Sequence, residues 1–339
     1  MTAKERLPGG VFMPAILRRL APRLGAEVIF EPDYEIVGRI RFPNGRQSYF
    51  WHNKFNLNSV ASARIARDKG HATFFLRELG FQVPRSGVFL QDAYRDRIRS
   101  GQGTAEARRF SEDLRWQVYL KPLRGSQGAG IVGVRSEREY EEAARLTFEL
   151  ERRVQIQEAR EGRDYRLVVL DGAVISAYER EPLSVRGDGV QTIAELLAAK
   201  QREFVATGRD TVIQAEDPRI LTTLRRKGFD LSTVLPNGVT EPLLDVANLS
   251  CGGTTHAITE RLHPSVAVLA AQICTAMDLR FCGVDIVMAD ATAPLADYAI
   301  LEVNSSPGLD HYAAHGPDHE AQVDELYLKV LEAIARGPV

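Results

Sequence analysis
Apolar and polar positions along the 339-residue chain follow two rhythms, a strand-like alternation over short runs and a helical spacing over longer ones. Residues 15–24 read as a helix, and residues 27–30 and 35–42 as strands. Pro43-Asn44-Gly45 supplies a hairpin turn into a returning strand at 46–51. Residues 58–79 (NSVASARIARDKGHATFFLREL) form one helix, or two joined at Lys69-Gly70, closed by Gly80 with Val83-Pro84 beyond. Residues 91–115 are polar without clear periodicity and read as a mobile connection with a short helix. Strands follow at 116–122 and 131–134, and Ser136 to Glu139 is a capping box opening a helix to about residue 150. Strands at 153–158 and 165–170 precede an Asp171-Gly172 hairpin turn into 173–179. A helix capped at Thr192 runs to about Phe204, residues 207–245 are irregular around a helix at 218–227, and Pro264 starts a helix reaching about Leu279. A last helix covers 320–335. Short strands, hairpins and interspersed helices predict an α+β fold with antiparallel sheets.

Two late strands carry charge among apolar neighbours: Asp285 within CGVDIV, and Glu302 with Asn304 within YAILEVNSSP. On a strand Glu302 and Asn304 share a face, opposite Leu301 and Val303. Unpaired carboxylates in such surroundings are costly, and two carboxylates with an amide oxygen form a hard-oxygen set suited to Mg2+ or Mn2+ rather than zinc. The alternative is a pair of polar residues capping turns.

The run Gly125-Ser126-Gln127-Gly128-Ala129-Gly130 lies between two strands, which excludes a dinucleotide fingerprint, and its spacing fails the P-loop pattern. By itself such a run reads first as a plain mobile hairpin; it can also fold backbone N–H groups over phosphate oxygens, and Lys121 and Lys69 would then add cationic charge. Gln157 and Glu158 end a strand, and Asp164 follows a glycine-containing turn, a place where a purine and its ribose can be held. Arg166 and Arg180 sit on neighbouring strands, where surface charge is the plain alternative, and Asn248 to Gly253 is a glycine-bearing loop of anion-binding type, or a plain turn.

With 43 Lys+Arg against 45 Asp+Glu and 44% hydrophobic residues, the chain is globular and gives no reason to expect a nucleic-acid or membrane partner. Local basic clusters such as Arg95, Arg97, Arg99 and Arg108-Arg109 read as solvated faces. Three cysteines without metal-type spacing fit reduced thiols in a cytoplasmic protein. No signal peptide or transmembrane run is read in the sequence.

In their order, the stretches ARDKGHATFFLRELGFQVP, YLKPLRGSQGAGI, EGRDYRLVVLDGAVISAYER, VRGDGVQTIAELL, ANLSCGG, FCGVDIV and ILEVNSSPGL resemble the ATP-grasp superfamily of carboxylate–amine ligases over roughly residues 60–312. The likeness is nearest to the ATP-grasp modules of cyanophycin synthetases and glutathione-synthesising ligases. It implies an ATP-grasp fold holding the nucleotide between two subdomains. The expected division is a substrate-side region at 1–115, a glycine-hairpin lid at 116–160 and a metal and acyl-phosphate subdomain at 161–339.

The resemblance also implies roles. Lys69, Lys121, Gly125, Ser126, Gln127 and Gly128 would contact ATP phosphates, Gln157, Glu158 and Ala159 the adenine, and Asp164 the ribose. Asp285, Glu302 and Asn304 would hold Mg2+, with Mn2+ as a substitute. Arg166, Arg180, Asn248 and Gly253 would face the acyl-phosphate and the acceptor. The implied reaction is ATP-dependent amide formation between an amino-acid or peptide carboxylate and an amine. A phosphotransferase and a non-catalytic nucleotide-binding protein are the alternatives, and a homo-oligomer is left open. The Mur-ligase-like and long N-terminal domains of cyanophycin synthetases have no counterpart in these residues, which argues against polymer synthesis by two ligations.

Overall fold
In a computed structural model, residues 12–123, 130–207, 209, 211–309 and 317–337 are described. Helix α1 (Phe12–Leu20) precedes an antiparallel sheet of β1 (Glu27–Phe30), β2 (Val37–Arg41), β3 (Gln47–Trp51) and β4 (Lys54–Phe55), in chain order. Gly45, at φ 83°, and the Asn44 side chain accepting from Arg46 N at 3.0 Å make the expected hairpin turn. Ile40, Phe42 and Phe50 from this sheet pack with Ile16 and Leu17 of α1 and with Tyr327 and Val330 of the closing helix α10 (Pro317–Arg336).

The run at 58–79 is two helices, α2 (Val60–Arg67) and α3 (Lys69–Glu78). Asp68 separates them: its extended backbone ends α2, and its Oδ1 accepts from Gly70 N and His71 N at 3.1 Å to start α3. Lys69 is thereby fixed at the first turn of α3. Gly70 is required by close approach, because a Cβ there would lie 2.6 Å from Val88 Cγ2.

A second antiparallel sheet is built from β5 (Ser86–Leu90), β6 (Val118–Pro122), β7 (Val132–Val134) and β8 (Arg153–Glu158), in the order β5-β8-β6-β7. β5 belongs to this sheet although it precedes residue 116. Residues 91–115 are more regular than their polarity predicts, forming α4 (Asp92–Ile98) and α5 (Thr104–Asp113). Ala107, Phe110 and Leu114 lie at helical spacing and pack with Phe89, and with α6 (Glu137–Leu150) through Tyr140. The arginines of the outer face masked that narrow stripe. Arg108 is not merely solvated: it pairs with Glu137 and Glu141 and lies over the Trp116 ring. The glycine run at 125–129 falls outside the described residues.

The remaining chain forms β9 (Arg163–Leu170), β10 (Ala173–Glu181), β11 (Ser184–Arg186), α7 (Ile193–Ala206), α8 (Pro218–Arg226), β12 (Thr240–Pro242), β13 (Thr254–Ala257), α9 (Pro264–Ala276), β14 (Phe281–Met288) and β15 (Tyr298–Asn304). The third sheet runs β13-β10-β9-β14-β15, antiparallel throughout. Between β10 and β13 the chain leaves to form β11, α7, α8 and β12, with a core of its own around Leu183, Ile193, Leu224 and Leu243. The 207–245 stretch carries the expected helix, at 218–226, among otherwise mostly irregular residues, and packs as part of this unit.

One face of the third sheet, with Leu167, Val169, Val284 and Ile286, packs against α9. The other face is divided. Val168, Leu170, Tyr178 and Phe281 join the core under the N-terminal sheet, while the residues at the opposite end are charged. Asn58 fixes the N-terminal part to this sheet by imitating a neighbouring strand. Its Oδ1 accepts from Arg280 N and Phe281 N at 2.8 and 3.0 Å, and its Nδ2 donates to Phe281 O and Ser305 O at 2.7 and 2.8 Å. Asn58→Ala strands several of these backbone groups and should cost about 2 kcal/mol. A melting temperature lower by roughly 4 °C is expected; an unchanged melting curve would contradict this clamp.

Candidate active site
The charged half of the third sheet is assembled by register. Arg166 stands opposite Asp285, Asp285 opposite Glu302, and Asp164 opposite Arg180. Directly paired residues share a face, so five charged groups from four strands project together. The β14–β15 register shifts between Asp285 and Ile286, leaving Leu301 as an extra residue on β15. That bulge lets Ile300 and Val303 both enter the core while Glu302 joins Asp285 on the charged face.

Asp285 is held by two guanidinium groups. Arg166 donates through Nε to Oδ1 and through Nη2 to Oδ2 at 2.8 Å, and Arg180 Nη2 lies 3.1 Å from Oδ2. Arg180 also donates to Asp164 Oδ1 at 2.6 and 3.0 Å. Burial alone would raise the Asp285 carboxyl, but Arg166 and Arg180 outweigh it and hold it below the usual carboxylate range. Gly283 makes room for this pairing, since a Cβ there would meet Arg166 Cδ and Pro307 Cβ at 3.1 Å.

Both predicted lysines reach the same face. Lys69 Nζ is 3.3 Å from Glu302 Oε2, and the buried Lys121 on β6 donates to Gln157 Oε1. Gln155, one strand over, donates to Thr73 Oγ1 at 3.2 Å and so ties the second sheet to α3. Gln155 Oε1 and Gln157 Nε2 are buried without a hydrogen-bond partner among the described residues. Burial pulls the Lys121 ammonium down to about 8, against Glu302 and with the help of Lys69.

Glu158 and Ala159 lie at the end of β8. The Glu158 carboxylate accepts from Arg85 N at 3.1 Å, and Ala159 N donates to Gln117 O at 2.8 Å, so Ala159 offers a ligand only its carbonyl. Asn248 opens a short 3-10 turn in which Cys251 N and Gly253 N both return to Asn248 O at 3.0 and 3.1 Å. Gly253 fits because a Cβ would lie 2.6 Å from Glu181 O. The placement of Gly125, Ser126, Gln127 and Gly128 lies outside the described residues.

Sequence reasoning missed three contributors. Arg209, stacked 4.0 Å from the Phe204 ring, donates to Leu249 O and, at 2.9 Å, to Gly253 O, and so clamps both ends of the Asn248–Gly253 loop. Thr255 stands opposite Arg180, with its hydroxyl buried and unpartnered among the described residues. Gln155 bridges the lysine-bearing elements. None carries a sequence signal, because each acts through tertiary contact.

The donor chemistry on this face fits a hard divalent cation. Asp285 and Glu302 oppose each other, and Asn304 follows on the same face, opposite Gly283. Coordination by Asp285 requires an oxygen to be shared with, or released by, an arginine. No group of three or more His, Cys, Asp and Glu side chains suited to a metal occurs among the described residues, and the set here is two carboxylates and an amide.

Sheet order and site together define an ATP-grasp fold. Residues 246–325 match the RimK-like ATP-grasp domain. The chain is similar to cyanophycin synthetase of Geminocystis herdmanii, with 32% identity over 76% of this chain and 29% of that protein. It is also similar to the glutathione biosynthesis bifunctional protein GshAB of Streptococcus mutans, with 30% identity over 71% of this chain and 32% of that one. Less than a third of either relative's length is spanned. Among solved structures, a bifunctional glutathione synthetase from Pasteurella multocida matches 93% of this chain and 44% of its own, at TM-score 0.57 and 22% identity. A D-alanine–D-alanine ligase from Bacillus anthracis matches 82% and 70%, at TM-score 0.50 and 14% identity.

Because Lys121 is charged only below about 8, affinity for ADP should fall by about tenfold between pH 7 and 9, the worth of one charge-assisted hydrogen bond. The effect on stability has the opposite sign: between about 8 and 10.5 the unfolded chain holds a proton that the folded chain releases, so this group's contribution rises with pH. Calorimetric titration with ADP across that range tests the first expectation; an affinity independent of pH, or the same slope in Lys121→Met, would overturn it.

Proposed function
We propose that the chain is an ATP- and Mg2+-dependent ligase that joins an amino-acid or peptide carboxylate to an amine, releasing ADP and phosphate. The reading is carried by the gathering of Asp285, Glu302, Asn304, Lys69 and Lys121 about one sheet face. The names of the relatives support an amino-acid or peptide substrate. Three free cysteines support a cytoplasmic setting, and no helix among the described residues is long and apolar enough to cross a membrane.

In this reading Lys69 and Lys121 hold the phosphates, and Gly125, Ser126, Gln127 and Gly128, outside the described residues, are the further phosphate contacts expected from the resemblance. Gln157, Glu158 and the Ala159 carbonyl border the adenine. Asp164 keeps one carboxylate oxygen for Arg180 and offers the other to the ribose. Asp285, Glu302 and Asn304 hold Mg2+, which when bound neutralises charge on the phosphates as the phosphoryl group moves. A carboxylate oxygen of the donor attacks the γ-phosphorus and ADP leaves. Arg166 and Arg180 then lie where the acyl-phosphate's charge must be balanced. The amine attacks the acyl carbon near the Asn248–Gly253 loop, phosphate leaves and the amine proton is lost to solvent. Exclusion of water until that attack protects the acyl-phosphate.

A screen of amino-acid pairs for ADP, free phosphate and a new amide mass tests the reaction. Ligation gives all three, a phosphotransferase gives a phosphorylated product without free phosphate, and a binding protein gives none. Glu302→Gln should lower turnover by at least about a hundredfold through lost phosphate charge balance; wild-type turnover in that variant would contradict the metal assignment.

A further inference from the structure
The proposed chemistry makes no use of Arg226 at the end of α8, yet its guanidinium fastens two parts of the molecule together. It donates to Glu139 of α6 through Nε and Nη2 at 2.9 and 2.8 Å, and to Gly133 O of β7 at 2.6 Å. Through Nη1 it holds Asp245 Oδ2, also at 2.6 Å. Glu139 and Gly133 belong to the second sheet and its helix, whereas Arg226 and Asp245 belong to the unit inserted between β10 and β13. Gly133 is needed at this junction, because a Cβ there would run into Asp245 Oδ2. Tyr119 adds another tie: it stands two residues before Lys121 on β6, and its hydroxyl donates to Asp245 O at 3.2 Å. Beside this clasp a cavity of about 380 Å3 opens between the two parts, lined by Ala143 and Leu146 of α6 and by Leu221 and Leu244 opposite. A junction that is not close-packed has room for a second arrangement, and its polar fastening decides whether the parts move together.

The fastening leads to the Asn248–Gly253 loop by two routes. Asp245 lies three residues before Asn248. At the other end of α8, about 12 Å away along the helix, Arg219 Nη1 lies 3.9 Å from Cys251 Sγ within that loop. Asp217, which caps α8 by accepting from Arg219 N at 2.9 Å, also holds the Arg219 guanidinium at 2.6 Å. A nucleotide held by Lys121 of the second sheet and by the carboxylates of the third favours one spacing of the two sheets. Any such shift of the second sheet is carried by Arg226 into α8 and Asp245, and from both into the loop.

We propose that Arg226 is a positioning residue that couples the Lys121-bearing sheet to the Asn248–Gly253 loop, so that seating the nucleotide resets the loop on which the amine is to bind. This rests on the nucleotide-binding part of the ligase reading, and it can be measured without turnover. The half-buried Cys251 reports on the loop, since Cys274 and Cys282 are buried. The rate at which the full chain reacts with dithiobis(nitrobenzoate) is followed with and without saturating Mg2+ and ADP. Calorimetry establishes ADP binding in each variant, and loss of the fast phase in Cys251→Ser assigns it. ADP should change the Cys251 rate at least about fivefold, the low end of usual couplings between sites. Arg226→Met should still bind ADP but bring the ratio of the two rates close to one, and Arg226→Lys should restore part of it. Glu139→Gln, which keeps the shape and removes one charge of the clasp, should also reduce the ratio and serves if Arg226→Met does not fold. General loosening would raise both rates and keep their ratio, and direct shielding of the thiol by ADP would persist in the variants. An undiminished ratio in the folded variants, or a wild-type rate that bound ADP leaves unchanged, would overturn the proposal and leave the ligase reading standing. Absence of ADP binding would remove both together, whereas coupling in a protein that forms no amide would sink the ligation alone.

Discussion
The double grip of Arg166 and Arg180 on the Asp285 carboxylate is the constraint on which the site depends. A carboxylate at the centre of a sheet is tolerable only when its charge is met at hydrogen-bond distance. Here the partners are themselves largely buried, so they too require anions; Asp164 supplies a second one to Arg180, while Glu302 pairs with Lys69. Lys69, Lys121, Arg166 and Arg180 face Asp164, Asp285 and Glu302, leaving one positive charge in excess when all are ionised. A cluster of that composition favours a polyanion, and it favours a divalent cation only together with one.

Much of the surrounding structure holds these groups at their spacing. Asp68 fixes where α3 begins and hence where Lys69 points. Gln155 and Gln157 connect the second sheet to α3 and to Lys121. The bulge at Leu301 satisfies the core and the charged face at once. Asn58 links the N-terminal sheet to β14 and to the loop after Asn304, which gives the region most distant in sequence from the carboxylates a place beside them.

The fold and the charged centre were largely legible because they are written in local patterns. The Asp171-Gly172 turn fixes the β9–β10 hairpin, and apolar runs interrupted by single acids mark β14 and β15. The lysines were legible from their position at the start of a helix and the end of a strand. What could not be read was tertiary. The unit between β10 and β13 has two helices that the sequence marks, but the core they share with β11, β12 and Leu235 comes from tertiary packing that no local pattern shows. Helix α5 hides Ala107 and Phe110 among arginines and acids, with Leu114 just past its end. Arg209 looks like any loop arginine until the fold places Leu249 O and Gly253 O before it. The pairing of Asp285 with both arginines follows from strand order, which no local pattern supplies.

The most direct measurement is anomalous diffraction from crystals grown with Mn2+ and a non-hydrolysable ATP analogue. The account predicts a manganese peak at coordination distance, about 2.2 Å, from oxygens of Asp285, Glu302 and Asn304, with the terminal phosphates between Lys69 and Lys121. A peak elsewhere, with Asp285 still bound to both guanidinium groups and the three side chains directed apart, would contradict it.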